Sequence, residues 1–182
     1  MSSSLSSTWI KSSVLNLLSD EPKNNFRTQV LTRKTVQVTR IFSELNVIEI
    51  SDKSFHIALA LNSATMKHLE DQDAFSSLDG LRNSVVKIQN WHISTVAQCI
   101  DAKNIKKAVQ LGITMPFALQ CDKMELLGAE DCIIFGEPTD INQNSEIRRS
   151  LSKFNYASMM QRFVTVQFPD EYSLPNAGKF CL

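Results

Sequence analysis

Glycine is scarce in this chain of 182 residues. Only five occur, none in a Gly-x-x-x-x-Gly-Lys-Ser/Thr or Gly-x-Gly-x-x-Gly run. Without such a loop the backbone has no ready cradle for phosphates, so nucleotide hydrolysis and dinucleotide chemistry are not expected. The four cysteines, Cys99, Cys121, Cys132 and Cys181, lack the C-x-x-C spacing of a zinc site. They read as reduced, mostly buried thiols, which favours an intracellular compartment. No Gly-x-Ser-x-Gly elbow is present, and His56, His68 and His92 lie far apart in sequence, so each reads as a structural or surface histidine rather than a catalytic base. No run approaches the roughly eighteen apolar residues of a membrane span, and "MSSSLSSTW" lacks the basic-then-apolar order of a signal peptide. The expectation is a soluble, non-secreted protein with no membrane role and no cofactor. Charge is balanced too, with 19 Lys plus Arg against 19 Asp plus Glu. No global positive field draws the chain to nucleic acid, and any such binding would be local.

What is present is a chain long enough for one self-sufficient core. Residues 1–7 read as a disordered Ser-rich arm, 8–154 as the folded domain and 155–182 as a C-terminal extension. From Thr8, a natural N-cap, Trp9, Ile10, Val14, Leu17 and Leu18 follow helical spacing until "SDEPKNN" stops them. Trp9 is the anchor of that helix on a core. "KTVQVTRIF", "NVIEI" and "SFHIALAL" alternate with period two and predict a three-strand meander, with Asp52 in the "SDKS" turn placed to bond backbone N–H groups and fix the hairpin. "NSATMKHLED" predicts a helix capped by Asn62 or Ser63.

"SVVKIQNWHISTV" predicts a fourth long strand with a bend near Asn90. "CIDAKNIKKAVQLG" predicts an inserted helix stopped by Gly112, and "MPFALQCDKMELLG" a fifth strand. In the fifth strand Asp122 and Lys123 interrupt an apolar run, and a neighbouring ion pair there would fix register and adjacent loops. "DCIIFGEP" then predicts a short buried piece and "SEIRRSLSKF" a helix with Ile147, Leu151 and Phe154 on one face, while "RFVTVQF" is strand-like. The order strand, strand, strand, helix, strand, strand is that of a mainly β protein with flanking helices, the five-stranded OB-fold barrel. An SH3-like barrel or an open α+β sheet gives a similar string.

OB-folds often bind single-stranded nucleic acid through aromatic platforms in a basic groove. The aromatics here, Phe42, Phe55, Phe75, Trp91 and Phe117, fall mostly on strands where burial explains them. Lys34, Arg40, Lys53 and Lys87 read as scattered solvated charges, although they could form a patch. In "KHLEDQD", Glu70, Asp71 and Asp73 cluster past a helix end, where acids oppose the helix dipole and do not serve the helix. They read either as a solvated loop or as an acidic surface held out for a basic partner.

"TWIKSSVLNLL", "VIEISDKSFHIALALNSATMKHLE" and "PFALQCDKMELLG", in this order and spacing, resemble the telomerase-associated OB-fold proteins. That group includes the telomerase-recruiting OB domain of shelterin and the small ever-shorter-telomeres subunit of yeast telomerase. The resemblance covers roughly Thr8 to Phe154, and the short chain after the last helix looks more like the yeast subunit. It implies a non-catalytic nuclear protein at telomeres that binds the N-terminal domain of telomerase reverse transcriptase, with other telomerase subunits as further partners. By position it implies a contact surface of Glu70, Asp71 and Asp73, then Arg82 and Ser84, then Leu127 and Glu130. Weak single-stranded nucleic-acid binding is the alternative. The insertion around residues 98–112 and the tail after 155 depart from the shelterin pattern.

Overall fold

A computed structural model describes Leu5 and residues 8–19, 33–72, 75–129 and 133–153. The alternating segments form strands whose inward side chains meet on one axis. β1 (Lys34–Phe42), β2 (Val47–Ser51) and β3 (Phe55–Leu61) make an antiparallel meander. β4 (Ser84–Thr95) pairs antiparallel with β1, and β5 (Phe117–Ala129) runs antiparallel to β4 and parallel to β3. With β2 also paired to β3 the ring closes, and the five strands form an OB-type barrel. A two-residue β6 (Thr139–Asp140) adds to β3 beyond β5. Val36, Val38, Ile48, Ile50, Ile57, Leu59, Ile88 and Leu119 fill the interior. Branched side chains dominate because they pack well on a pleated surface.

The bend expected near Asn90 is a change of face on two strands at once. On β4 both Ile88 and Trp91 are buried, and on β5 both Cys121 and Met124 are. Ile88 pairs with Met124, Gln89 with Lys123 and Trp91 with Cys121, so the two switches lie opposite each other. Asn90 takes the left-handed backbone there, φ 52°, which asparagine tolerates better than most residues. Asp122 and Lys123 are both exposed. They occupy the stretch of β5 where two consecutive side chains face water. Among the described residues they enter no ion pair.

α1 (Ile10–Leu17) buries Ile10, Val14 and Leu17, and Trp9 packs on Trp91 with ring centroids 4.5 Å apart. Thr8 is exposed and does not cap the helix, whose entry at Trp9 has no local side-chain acceptor. The acceptor comes from the β2–β3 turn. Oδ2 of Asp52 accepts from the N–H groups of Trp9 at 2.7 Å and Ile10 at 2.8 Å, while Oδ1 accepts from Ser54 at 3.1 Å and Phe55 at 3.0 Å. One fully buried carboxylate therefore closes a hairpin and caps a helix.

α2 (Ser63–Glu70) begins at Asn62, whose Oδ1 accepts from Thr65 N. Between β4 and β5 the predicted single helix is three short pieces: α3 (Val96–Cys99), a 3₁₀ turn at Ala102–Asn104 and α4 (Ile105–Gln110). Asp101, with ψ 137°, breaks the helical run, and Gly112 ends it at φ 87°. α5 (Ser145–Leu151) is capped by Asn144, buries Ile147 and is tied to α1 by Lys11–Glu146 at 2.6 Å. Phe154, the strand-like 162–168 segment and the tail lie outside the described residues, as does the arm 1–7 apart from Leu5. Among the described residues no helix is long and apolar enough to cross a membrane.

Candidate functional site

β5 outruns its partner β3 after Cys121, which leaves one edge of the strand to be satisfied by side chains. α2 supplies them. The buried Thr65 hydroxyl donates to Cys121 O, Nδ1 of His68 donates to Met124 O at 2.9 Å, and Nε2 of Gln72 donates to the same carbonyl at 2.7 Å. Gln72 Oε1 then accepts from Leu126 N at 2.8 Å. Gln72 thus behaves as one more residue of strand, pairing both backbone groups of β5 with its amide. The end of α2 is held beside Leu126, and the exposed Glu70 and Asp71 stand next to it.

Val86 pairs with Leu126 but Val85 with Gly128, so Leu127 is the extra residue of a β-bulge. Bulges re-aim side chains, and Leu127 is 37% exposed in a strand whose other leucine side chains are turned inward to a greater degree. Gln72 thus bonds the helix end that carries Glu70 and Asp71 to Leu126, the residue before Leu127. Exposed Arg82 precedes β4 at the same end, because Ser84 pairs with Ala129. Ser84 itself is fully buried, and its hydroxyl donates to Leu81 O at 2.6 Å. It serves that turn and is withdrawn from the surface. Asp73 and Glu130 lie outside the described residues.

The predicted buried piece at "DCIIFGEP" is overturned. Ile133 is 67% exposed and Ile134 45% exposed. Their backbone is held down by Gln37, a buried residue that points out of the barrel wall. Gln37 Nε2 donates to Ile133 O at 2.7 Å, and its Oε1 accepts from Phe135 N at 2.8 Å. Sequence reasoning missed Gln37 and Gln72 because a side-chain amide that pairs with distant backbone leaves no local pattern. The apolar Ile-Ile pair was visible but its direction was not.

A second polar group lies on the outer side of β1–β3. Glu49 accepts from the Thr39 hydroxyl at 2.9 Å, meets Nδ1 of His56 at 3.1 Å and has Arg40 3.9 Å away. Burial pushes the Glu49 carboxyl up, but the bond and charge of His56, the Thr39 hydroxyl and the charge of Arg40 together hold it below its ordinary 4.5. Burial likewise pulls His56 down, and Glu49, with the charge of Asp140, carries it above 6.5. Beside this cluster the β4–β5 insertion lays Val96, Ile100, Ala108 and Ile113 on the outward Phe42, Val47, Ala60 and Ala118. The barrel's outer wall is thus partly an interior surface. Burial also pushes the thiols of Cys99 and Cys121 up, to about 11 and about 12, as expected for inert buried cysteines.

No group of three or more His, Cys, Asp or Glu among the described residues could hold a metal. No protein-family model matches the chain, and no curated protein matches it in sequence. A solved structure does resemble it: the Est3 telomerase subunit in the yeast Hansenula polymorpha matches with a TM-score of 0.50 and 13% identity, over 69% of this chain and 78% of that one. At that identity the likeness is one of fold, and it agrees with the OB-type barrel.

Proposed function

We propose that this protein is a non-catalytic telomerase subunit, acting in the nucleus at telomeres, that docks on the N-terminal domain of telomerase reverse transcriptase and supports recruitment or activation. The observation that carries this reading is the junction of α2 with β5. There the Gln72 amide bonds the helix end that carries two exposed acids to the residue before a leucine at a bulge. An apolar anchor with a charged surround is the usual anatomy of a protein interface, and it suits a basic partner surface. The fold shared with a telomerase subunit supports the same choice.

Single-stranded nucleic-acid binding is the competing reading, and the barrel wall weighs against it. OB-folds take oligonucleotides on the face of strands 2 and 3. Here the outward residues of those strands are Val47, Glu49, Ser51, His56, Ala58 and Ala60, none of them Phe, Tyr or Trp. Part of that face is under the insertion.

The test is Glu70→Arg with Asp71→Arg, in a binding titration against the purified reverse transcriptase N-terminal domain. Like charges across an interface cost several kcal/mol, so binding should weaken by roughly a hundredfold or more. Both sites are exposed, so circular dichroism should be unchanged, and telomeres should shorten in cells. Wild-type binding and telomere length in this variant would overturn the assignment. Loss of oligonucleotide binding alone would transfer the surface to the competing reading.

A further inference from the structure

Arg40 is shared between two acceptors on different parts of the fold. Its Nη2 donates to Leu111 O at 3.2 Å, at the end of α4, while its Nη1 stands 3.9 Å from Oε2 of Glu49 on the barrel wall. The first is a hydrogen bond. The second is about 1 Å longer than a charge-assisted bond of roughly 2.8 Å, so that contact is open to tightening. The Leu111 carbonyl lies at the end of α4, where the helix itself supplies no partner, and Arg40 supplies one. Beyond it Ile113 is buried on the outer wall, and Asn142 Nδ2 donates to the Thr114 hydroxyl at 3.2 Å. The end of the insertion is thus fastened by Arg40 on one side and Asn142 on the other.

The charge on His56 decides between the two acceptors of Arg40. The charged groups that face the ring are Glu49 from β2, Arg40 from β1 and Asp140 from β6. With the ring protonated, Glu49 has a cation 3.1 Å away at Nδ1, and that cation repels the Arg40 guanidinium. With the ring neutral, both effects vanish. Glu49 keeps its charge, since its carboxyl is held below 4.5, and the cation left beside it is Arg40. Both changes draw Arg40 inward, away from Leu111 O. Burial lowers the proton affinity of His56, while Glu49 and Asp140 raise it to a net position above 6.5, so the charge is lost as pH rises from there.

We propose that Arg40 is the moving part of a pH-dependent latch: it fastens the end of the β4–β5 insertion through Leu111 O while His56 carries a proton, and turns to Glu49 when that proton leaves. The latch governs how firmly the insertion closes the outer wall of the barrel. The test is amide hydrogen exchange on the full chain across the titration of His56, whose ring protons report its charge by NMR. The amides of Leu111, Gly112 and Ile113 bond Lys107 O, Val109 O and Ala108 O at the end of α4. Their protection, corrected for intrinsic exchange, should fall roughly twofold to fivefold as His56 deprotonates, the scale of an exposed charged contact. Val96 and Ile100, at the other end of the insertion, should keep theirs. Two variants act in opposite directions. His56→Gln should show the loosened end at every pH, and Glu49→Gln the fastened end at every pH, because the acid that draws Arg40 away is gone. Loss of protection in both variants alike would make the cluster merely structural and overturn the proposal. So would protection that ignores the His56 titration in wild type, or a fall that reaches Val96 and Ile100 together with Leu111.

Discussion

Replacing Asp52 by asparagine separates its two tasks. Asparagine keeps one carbonyl oxygen, enough for the N–H groups of Ser54 and Phe55, and sets an NH₂ where Trp9 and Ile10 donate. Two buried donors lose their acceptor. Each hydrogen bond of this kind, to a charged group, contributes about 1.5–3 kcal/mol, so the loss is about 3–6 kcal/mol. A domain holds about 5–15 kcal/mol in all, so α1 would be close to release. At about 2–4 °C per kcal/mol for a chain of this size, Tm falls by roughly 6–24 °C. Thermal and urea melts measure the total, and amide hydrogen exchange identifies the place. Protection at Trp9 and Ile10 should collapse while Ser54 and Phe55 keep theirs. A variant within about 1 kcal/mol of wild type, or one that loses protection first at Ser54 and Phe55, would refute the division of labour.

Trp9→Ala empties a buried site against Trp91 and should cost about 3–5 kcal/mol in urea unfolding, with the emission of the remaining Trp91 shifted to the red. The Glu49–His56 pair predicts a pH dependence. The pKa of His56 is raised on folding, so its contribution is complete below its ordinary 6.5 and is lost as pH climbs through the folded value. Glu49 works in the opposite sense, its contribution present above 4.5 and lost as pH falls through the lowered value. His56→Gln should therefore flatten the decline in urea midpoint as pH rises above the ordinary 6.5, and an unchanged decline would remove the pair from the account.

The strands were legible because their cause is local. Val36, Val38, Ile48, Ile50, Ile57 and Leu59 stand at alternate positions and enter one interior, and the meander could be read off that period. Asn62 heads α2 as a short polar residue before a helical run should. The Asp122–Lys123 interruption was also visible, but its meaning needed β4, where Asn90 turns the partner strand at the same level. What stayed hidden depends on residues distant in sequence. The cap of α1 is not the adjacent Thr8 but Asp52, whose acceptor oxygens no local pattern assigns to Trp9. Ser84 reads as a polar residue at a strand entrance, yet pairing with Ala129 and a bond to Leu81 O leave it no surface. The direction of Ile133 and Ile134 is set by Gln37, 96 residues before Ile133.

The bond from Asp52 to the start of α1 also imposes an order on synthesis. Trp9 leaves the ribosome 43 residues ahead of the side chain that accepts its N–H. An isolated helix of eight residues has too few turns to persist in water. While the meander is being made, the nascent segment must wait with its apolar face open to chaperones. Its seat is complete only after Trp91 has emerged to receive Trp9, and the barrel closes later still, when β5 settles beside β3. The first helix in the sequence is thus among the last parts to find its place.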